Sequence, residues 1–274
     1  MYRYVCIRPA TEKKPCIFSG GVMFDIQKAN VWKRISAYLF DAILLVIAAV
    51  GFAFILSGVL GYSRHYGTLV GYYDKYEAEY GVDFDITEEE REKLTETEKE
   101  KYTAASEAIA KDEELGYVYN LLINLSFIII IFGILLAYLM LELAVPLLFK
   151  NGQTLGKKIF GIAVIREDGV RISGVALFAR TVLGKYTVET MVPILVIIMT
   201  LFGSMGVFGV TVLGILVIAQ IMLVAMGPYR QCIHDKLSGT VAVDFASQMI
   251  FDSPEKLLEH KNRIQAERAQ SRER

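Results

Sequence analysis

Disulfide chemistry has little to work with in this sequence. Its three cysteines, Cys6, Cys16 and Cys232, make no framework, and alongside only three histidines (His65, His234, His260) their spacing fits no zinc pattern. A reducing environment is expected, with no metal and no other cofactor. An excess of one charge is missing too. The 29 basic and 30 acidic residues leave a formal net charge of −1, which argues against a nucleic-acid partner held by general basicity. Residues 1–30 lack the sustained apolar run of a secretory signal, so the first apolar block is expected to be an uncleaved anchor. Hydrolase signatures are lacking as well, with no HExxH and no GxSxG, and the chain is expected not to be an enzyme.

What the sequence has in abundance is apolar residues, and they fall in blocks. They make up 54% of 274 residues, with a mean hydropathy of +0.40. Residues 42–60 contain no charge, and residues 119–149 contain one, Glu142. Each is long enough for a hydrocarbon core, which takes roughly 20 helical residues. Residues 191–226 are also uncharged, too long for one ordinary span, and broken by Gly203-Ser204-Met205-Gly206. Two helices joined by a glycine turn fit them, the first short or tilted and starting near Tyr186. A three-span reading, with residues 191–202 as a buried half-helix, stays open. The fold class expected is an all-α integral membrane protein of about four spans, with an external helical insertion and a small cytoplasmic β-hairpin.

Basic residues orient the spans. Seven Lys/Arg precede Asp41, and seven more lie in residues 150–185, against two acids in each segment. Both segments read as cytoplasmic. Residues 61–120 carry seven bases and sixteen acids and read as external. Four spans then place both termini in the cytoplasm. The resulting division is a lead at 1–28, a first span at 29–60, an acidic insertion at 61–118 and a second span at 119–149. A hairpin and interfacial helix follow at 150–187, third and fourth spans at 188–227, and a charged tail at 228–274.

Local signals fill in the elements. Asn30 is placed to cap the first helix. Thr87 and Glu90 form a capping box for a helix over residues 88–111, read chiefly as a solvated cap. IAVIR, EDG and VRIS read as a hairpin, residues 175–186 as an interfacial helix whose Arg180 and Lys185 snorkel, HDKLSGTVAVDF as a turn and a strand, and Ser253-Pro254-Glu255 as a helix start. GQTLGKK lacks the phosphate-loop frame and reads as a turn with lysines, Lys157 among them, at lipid headgroups. No internal repeat is evident. Gln220 and Asn124 suit interhelical hydrogen bonds.

Ionisable residues at membrane depth are costly and need partners. Arg34 and Asp41, seven apart, share one helix face about 10 Å apart along the axis, with Tyr38 between them. Each is expected to meet a group from another helix. Asp235 is the candidate for Arg34, and Glu142 the candidate to stand beside Asp41. Two carboxylates in a low dielectric do not both stay charged, so that pair would hold either a proton or a small cation. The alternative is a register-fixing ion network in a scaffold or accessory subunit. His234 beside Asp235 reads first as a capped turn and second as a proton relay.

Three separated pieces, VWKRISAYLFD, NGQTLGKKIFGIAVIREDG and HDKLSGTVAV, resemble the RDD family of small multi-span membrane proteins, over residues 31–60 and 119–244. The resemblance assigns its Arg-Asp-Asp set to Arg34, Asp41 and Asp235. It implies a bacterial cytoplasmic-membrane protein, either a cation/proton exchanger or an accessory subunit. The bilayer, a homo-oligomer or membrane-protein partner, and a small cation are the partners expected. The long acidic insertion and the charged tail depart from the compact family pattern.

Overall fold

Four helices in the computed structural model are long and apolar enough to cross a bilayer: Val31–Val59, Glu113–Phe149, Gly174–Leu201 and Gly206–Met226. The structure describes residues 26–149 and 151–272. Most of the expected N-terminal lead, with Cys6 and Cys16, therefore lies outside the described residues. The protein is an all-α membrane protein with one small sheet, and its described chain divides into two compact units.

In the unit over residues 48–134 the regular elements are all helices. They are the second half of α1 (Val31–Val59), then α2 (Tyr62–Tyr80), α3 (Glu88–Glu92), α4 (Glu96–Lys111) and the first part of α5 (Glu113–Tyr138). α1 and α5 approach closely here. A Cβ on Gly133 would lie 3.2 Å from the Ala49 carbonyl oxygen, so a small residue is needed. The Tyr-rich stretch is helix α2, and it ends at Gly81 in the left-handed conformation. Two of its hydroxyls donate at 2.8 Å, from Tyr76 to Asp112 and from Tyr72 to Glu114. Asp112 in turn accepts from the Glu114 and Leu115 amides and caps α5.

The single helix expected over residues 88–111 is two helices. Thr87 and Glu90 do form a capping box, but Thr95 and Glu98 form a second one, and a chain capped twice starts twice. Phe84 fills the space beneath, with ring centroids 5.8 Å from Tyr73 and 5.3 Å from Tyr102.

The other unit holds the first part of α1 and residues 135–272. Asn30 Oδ1 accepts from the Trp32 amide at 3.0 Å and starts α1 as expected. α5 continues through a π-helical turn, Leu139–Ala144, into α6 (Val145–Phe149), and α7 (Leu155–Ile159) and β1 (Ile162–Arg166) follow. The third membrane-length helix joins α8 (Gly174–Phe178), a π segment over Ala179–Met191 and α9 (Val192–Leu201). It begins at Gly174, so the separate interfacial helix expected before Tyr186 is the start of this span. Next come α10 (Gly206–Met226), α11 (Ile233–Ser238), β2 (Thr240–Asp244) and α12 (Pro254–Arg272).

The expected local hairpin is also corrected. β1 pairs antiparallel with β2, from Ile162 opposite Asp244 to Arg166 opposite Thr240, and a single bridge from Ile165 to Arg171 is left of the local pairing. The long-range partner wins because it brings an apolar strand. Ala163, Ile165, Val241 and Val243 make a fully buried cluster, which a turn ending in VRIS does not supply. Residues 27–29 add bonds to the outer edge of β2. The sheet thus ties the start of α1 to the segments after α6 and after α10.

Candidate functional site

Two of the membrane-length helices carry π-helical winding, and both π segments close in the same way. Pro146 follows Glu142 by four residues in ELAVP, and Pro193 follows Glu189 by four in ETMVP. A proline has no N–H, so the carbonyl four residues earlier loses its α-helical donor. The Glu142 carbonyl accepts from Thr181 Oγ1 instead, at 2.9 Å. In the second segment the Thr187 and Thr190 hydroxyls donate to carbonyls five residues back, those of Val182 and Lys185. Bonding at i→i+5 stacks residues five apart, whereas α winding would set them about 140° apart around the axis. Arg180 and Lys185 consequently turn inward together. They are 2% and 8% exposed, which corrects the expectation that they snorkel to the surface.

One cluster forms around Asp235. Its Oδ1 accepts from Arg180 Nη2 at 2.8 Å and Nε at 3.0 Å, and its Oδ2 lies 3.4 Å from Arg34 Nη2. Arg34 also donates to the Arg230 carbonyl at 2.5 Å, which Arg230 presents from a left-handed backbone (φ +51°). His234 sits between Arg180 and Glu189, with Nε2 3.1 Å from Arg180 Nη2 and Nδ1 2.7 Å from Glu189 Oε2. Burial pushes the His234 imidazole below its ordinary value. A neutral ring that donates from Nδ1 and accepts at Nε2 satisfies both neighbours. Burial opposes the Asp235 charge, but the guanidinium groups of Arg180 and Arg34 outweigh it and hold the carboxyl below the usual carboxylate range. Gly184 lets α11 come this close, since a Cβ there would stand 2.6 Å from that of His234.

The ligand atoms of Cys232, His234 and Asp235 lie within 4.8 Å of one another, as in a metal site. They do not fit one. Both His234 nitrogens and both Asp235 oxygens have partners, two of them guanidinium groups whose charge would repel a cation. Burial also pushes the Cys232 thiol up to about 11, away from the thiolate a metal needs.

A second cluster forms around Lys157. Asp41 accepts from the Gly156 amide at 2.8 Å and from the Thr154 hydroxyl, which caps α7. Gly156 is required for this approach, because a Cβ there would lie 2.5 Å from the Ala37 carbonyl oxygen. Lys157 Nζ is 3.1 Å from Thr154 Oγ1 and 3.9 Å from a carboxylate oxygen of each of Asp41 and Glu142. Glu142 Oε1 is held by Lys185 Nζ at 2.5 Å, while its Oε2 is buried without a hydrogen-bond partner. Asp41 and Glu142 are therefore not a bare carboxylate pair: Lys157 stands between them. Burial, with the nearby charges of Lys185 and Arg180, pulls the Lys157 ammonium down to about 7, against the opposing pull of Glu142 and Asp41. The expectation that Lys157 reaches lipid headgroups is corrected by this inward position. Tyr38 is 68% exposed and lines the mouth of a cavity of about 530 Å³ beside these clusters.

The comparison with known families reads the same segments. The model of the RDD family matches residues 28–239. The chain belongs to the RDD family. No curated protein and no solved structure matches it. In this RDD protein the set given by resemblance does not meet as a triad. Arg34 reaches Asp235, while Asp41 belongs to the Lys157 cluster. Arg180, Lys185 and Glu189 complete the two clusters; a reading at α-helical period puts the first two at the surface and misses Glu189. The repeated Glu-x-x-Val-Pro is the signal that was there to find them. Gln220 accepts from the Ile233 amide at 3.0 Å and joins α10 to α11, a helix-to-helix bond of the kind expected of it.

Proposed function

We propose that this RDD protein exchanges a small cation for a proton across the membrane, with Asp41 and Glu142 as the carboxylates and Lys157 as the proton-bearing group between them. The observation that carries the reading is the position of Lys157, 3.9 Å from both acids, with an ammonium near neutrality. Below about pH 7 its own charge fills the space between the carboxylates. Above that pH the lysine is neutral, and the pair has charge to offer another cation. Four spans without an inverted repeat make a small carrier, so a homo-oligomer is part of the proposal.

Proteoliposomes of the wild-type protein test it. Proton flux under gradients of Na⁺, K⁺, Li⁺, Ca²⁺ and methylammonium is expected to depend on one of these cations. It is expected to rise between about pH 6 and pH 8, as a group near 7 releases its proton. Folded, reconstituted protein that gives no flux with any of them removes the proposal.

A second reading has its own support. Arg180, Asp235, Arg34, His234 and Glu189 pair among themselves, as expected of a network that fixes helix register in a scaffold or accessory subunit. Both readings share an orientation with the two termini cytoplasmic and residues 61–118 outside, argued from the basic segments flanking the spans. A cysteine placed at Lys99 is then expected to react with an impermeant maleimide on whole cells, and one at Asp252 only after lysis. Labelling of intact cells at Asp252 would reverse the topology.

A further inference from the structure

The cavity beside the two clusters has an uneven lining. Its floor holds the buried charges, whereas Leu216, Val217 and Ile221 of α10 form one wall and Pro193 of α9 contributes to another. At its mouth Val217 and Ile221 are 57% and 61% exposed on a membrane-length helix, so the opening faces the hydrocarbon side rather than an aqueous surface. A volume of about 530 Å³ lies in the range of small-molecule sites, which are apolar with a few placed polar groups.

The floor offers one acceptor without a hydrogen bond, and its nearest cation, Lys157 Nζ, stops 3.9 Å away. Among the described residues lining the cavity, Glu142 Oε2 is the buried side-chain atom without a hydrogen-bond partner, on a side chain 6% exposed. It is an acceptor carrying negative charge, so what it lacks is a donor, preferably a cationic one. The arginines of the floor already have partners in Asp235, which disfavours an anionic headgroup. A metal ion stripped of water needs several oxygen ligands, and apolar walls supply none.

We infer that the cavity binds a primary ammonium ion with a compact apolar body, its N–H groups on Glu142 Oε2 and its body against α9 and α10. The inference rests on reading these acids as a cation site, and it names the class of cation. Glu142 lines the cavity and carries its Lys185 pair on Oε1, so an ammonium on Oε2, taking the place beside a neutral Lys157, leaves that pair intact. The body replaces lipid or water along the wall and gains by apolar burial. A neutral analogue lacks the charge, and a quaternary ammonium lacks the N–H.

The probe is tritiated 1-adamantylamine, in equilibrium dialysis against the full chain in nanodiscs of zwitterionic lipid, with empty nanodiscs as the blank. Saturable binding above the blank is expected, with no competition from 1-adamantanol or from N,N,N-trimethyl-1-adamantylammonium. Glu142→Gln is expected to weaken binding about tenfold or more. Because that variant also disturbs the Lys185 pair, Val217→Trp at the exposed mouth is the second variant; it is expected to keep the fold and lose the probe. Binding no greater than to empty discs would overturn the inference, and so would full affinity in folded Val217→Trp. The transport reading fails separately: saturable binding without flux of any cation removes exchange and keeps this site, whereas metal-driven flux without probe binding does the reverse.

Discussion

Asp41→Asn is expected to abolish cation-driven proton flux while leaving most of the protein folded. The side chain accepts the Gly156 amide at 2.8 Å and the Thr154 hydroxyl, and it lies 3.9 Å from Lys157. An asparagine keeps the shape and can still accept from Gly156, so the start of α7 survives. Its amide cannot accept from Thr154, whose oxygen already receives the Lys157 amide and ammonium. That mismatch costs about 1 kcal/mol, as for a single neutral hydrogen bond. The charge is lost entirely. Lys157 then answers to Glu142 alone, and no pair of carboxylates remains to take a cation when the lysine is neutral. Flux and the thermal midpoint in detergent are to be measured on the same preparation. Flux that falls only in step with the amount of folded protein would make Asp41 a structural residue and favour the scaffold reading.

Asp235→Ala has the larger expected effect on stability. The carboxylate is 1% exposed and is the shared partner of Arg180 and Arg34, with Thr240 Oγ1 at 3.2 Å and the Cys232 amide at 3.4 Å completing its shell. Alanine leaves two guanidinium charges facing each other in a site closed by α11. Breaking a buried pair by removing one partner costs about 3–5 kcal/mol, because the remaining charge is desolvated and uncompensated. The expected result is loss of folded protein at ordinary expression temperature, or a large fall of the thermal midpoint in detergent. A variant within about 1 kcal/mol of wild type would mean that water or lipid headgroups reach Arg180. The two predictions separate the clusters: the one around Lys157 is read by flux, and the one around Asp235 by stability.

Some of this arrangement was legible residue by residue. Arg34 and Asp41 were recognisable because a charge on an apolar helix face is conspicuous, and Asp235 because its segment returns to the boundary where Arg34 starts. Arg180 and Lys185 were visible but misplaced. At α-helical period they fall on different faces, which makes a surface position look natural, and only the π winding between Ala179 and Met191 turns both inward. Lys157 reads as a headgroup lysine because GQTLGKK lacks the phosphate-loop frame, and nothing in that turn separates it from Lys158. The Thr154 cap of α7 gives the two lysines different directions, one toward Asp41 and one over the Phe149 ring at 3.7 Å.

By itself the sequence determined the class of protein, its long apolar blocks and the elements with strong local signals, such as the caps at Asn30 and Thr87. These depend on solvation and on bonds within a few residues, so composition and spacing are sufficient. The choice of four membrane-length helices over three came with the structure. The partner of β1, the inward turn of Arg180 and Lys185, and the position of Lys157 between Asp41 and Glu142 were decided only by the tertiary structure, whereas the break in the acidic helix follows from the second local cap at Thr95. Each of those three tertiary outcomes is a competition between a local option and a distant one. The distant option wins where it buries an apolar strand or gives a desolvated charge its counter-charge, and those energies exist only once the chain has folded back on itself.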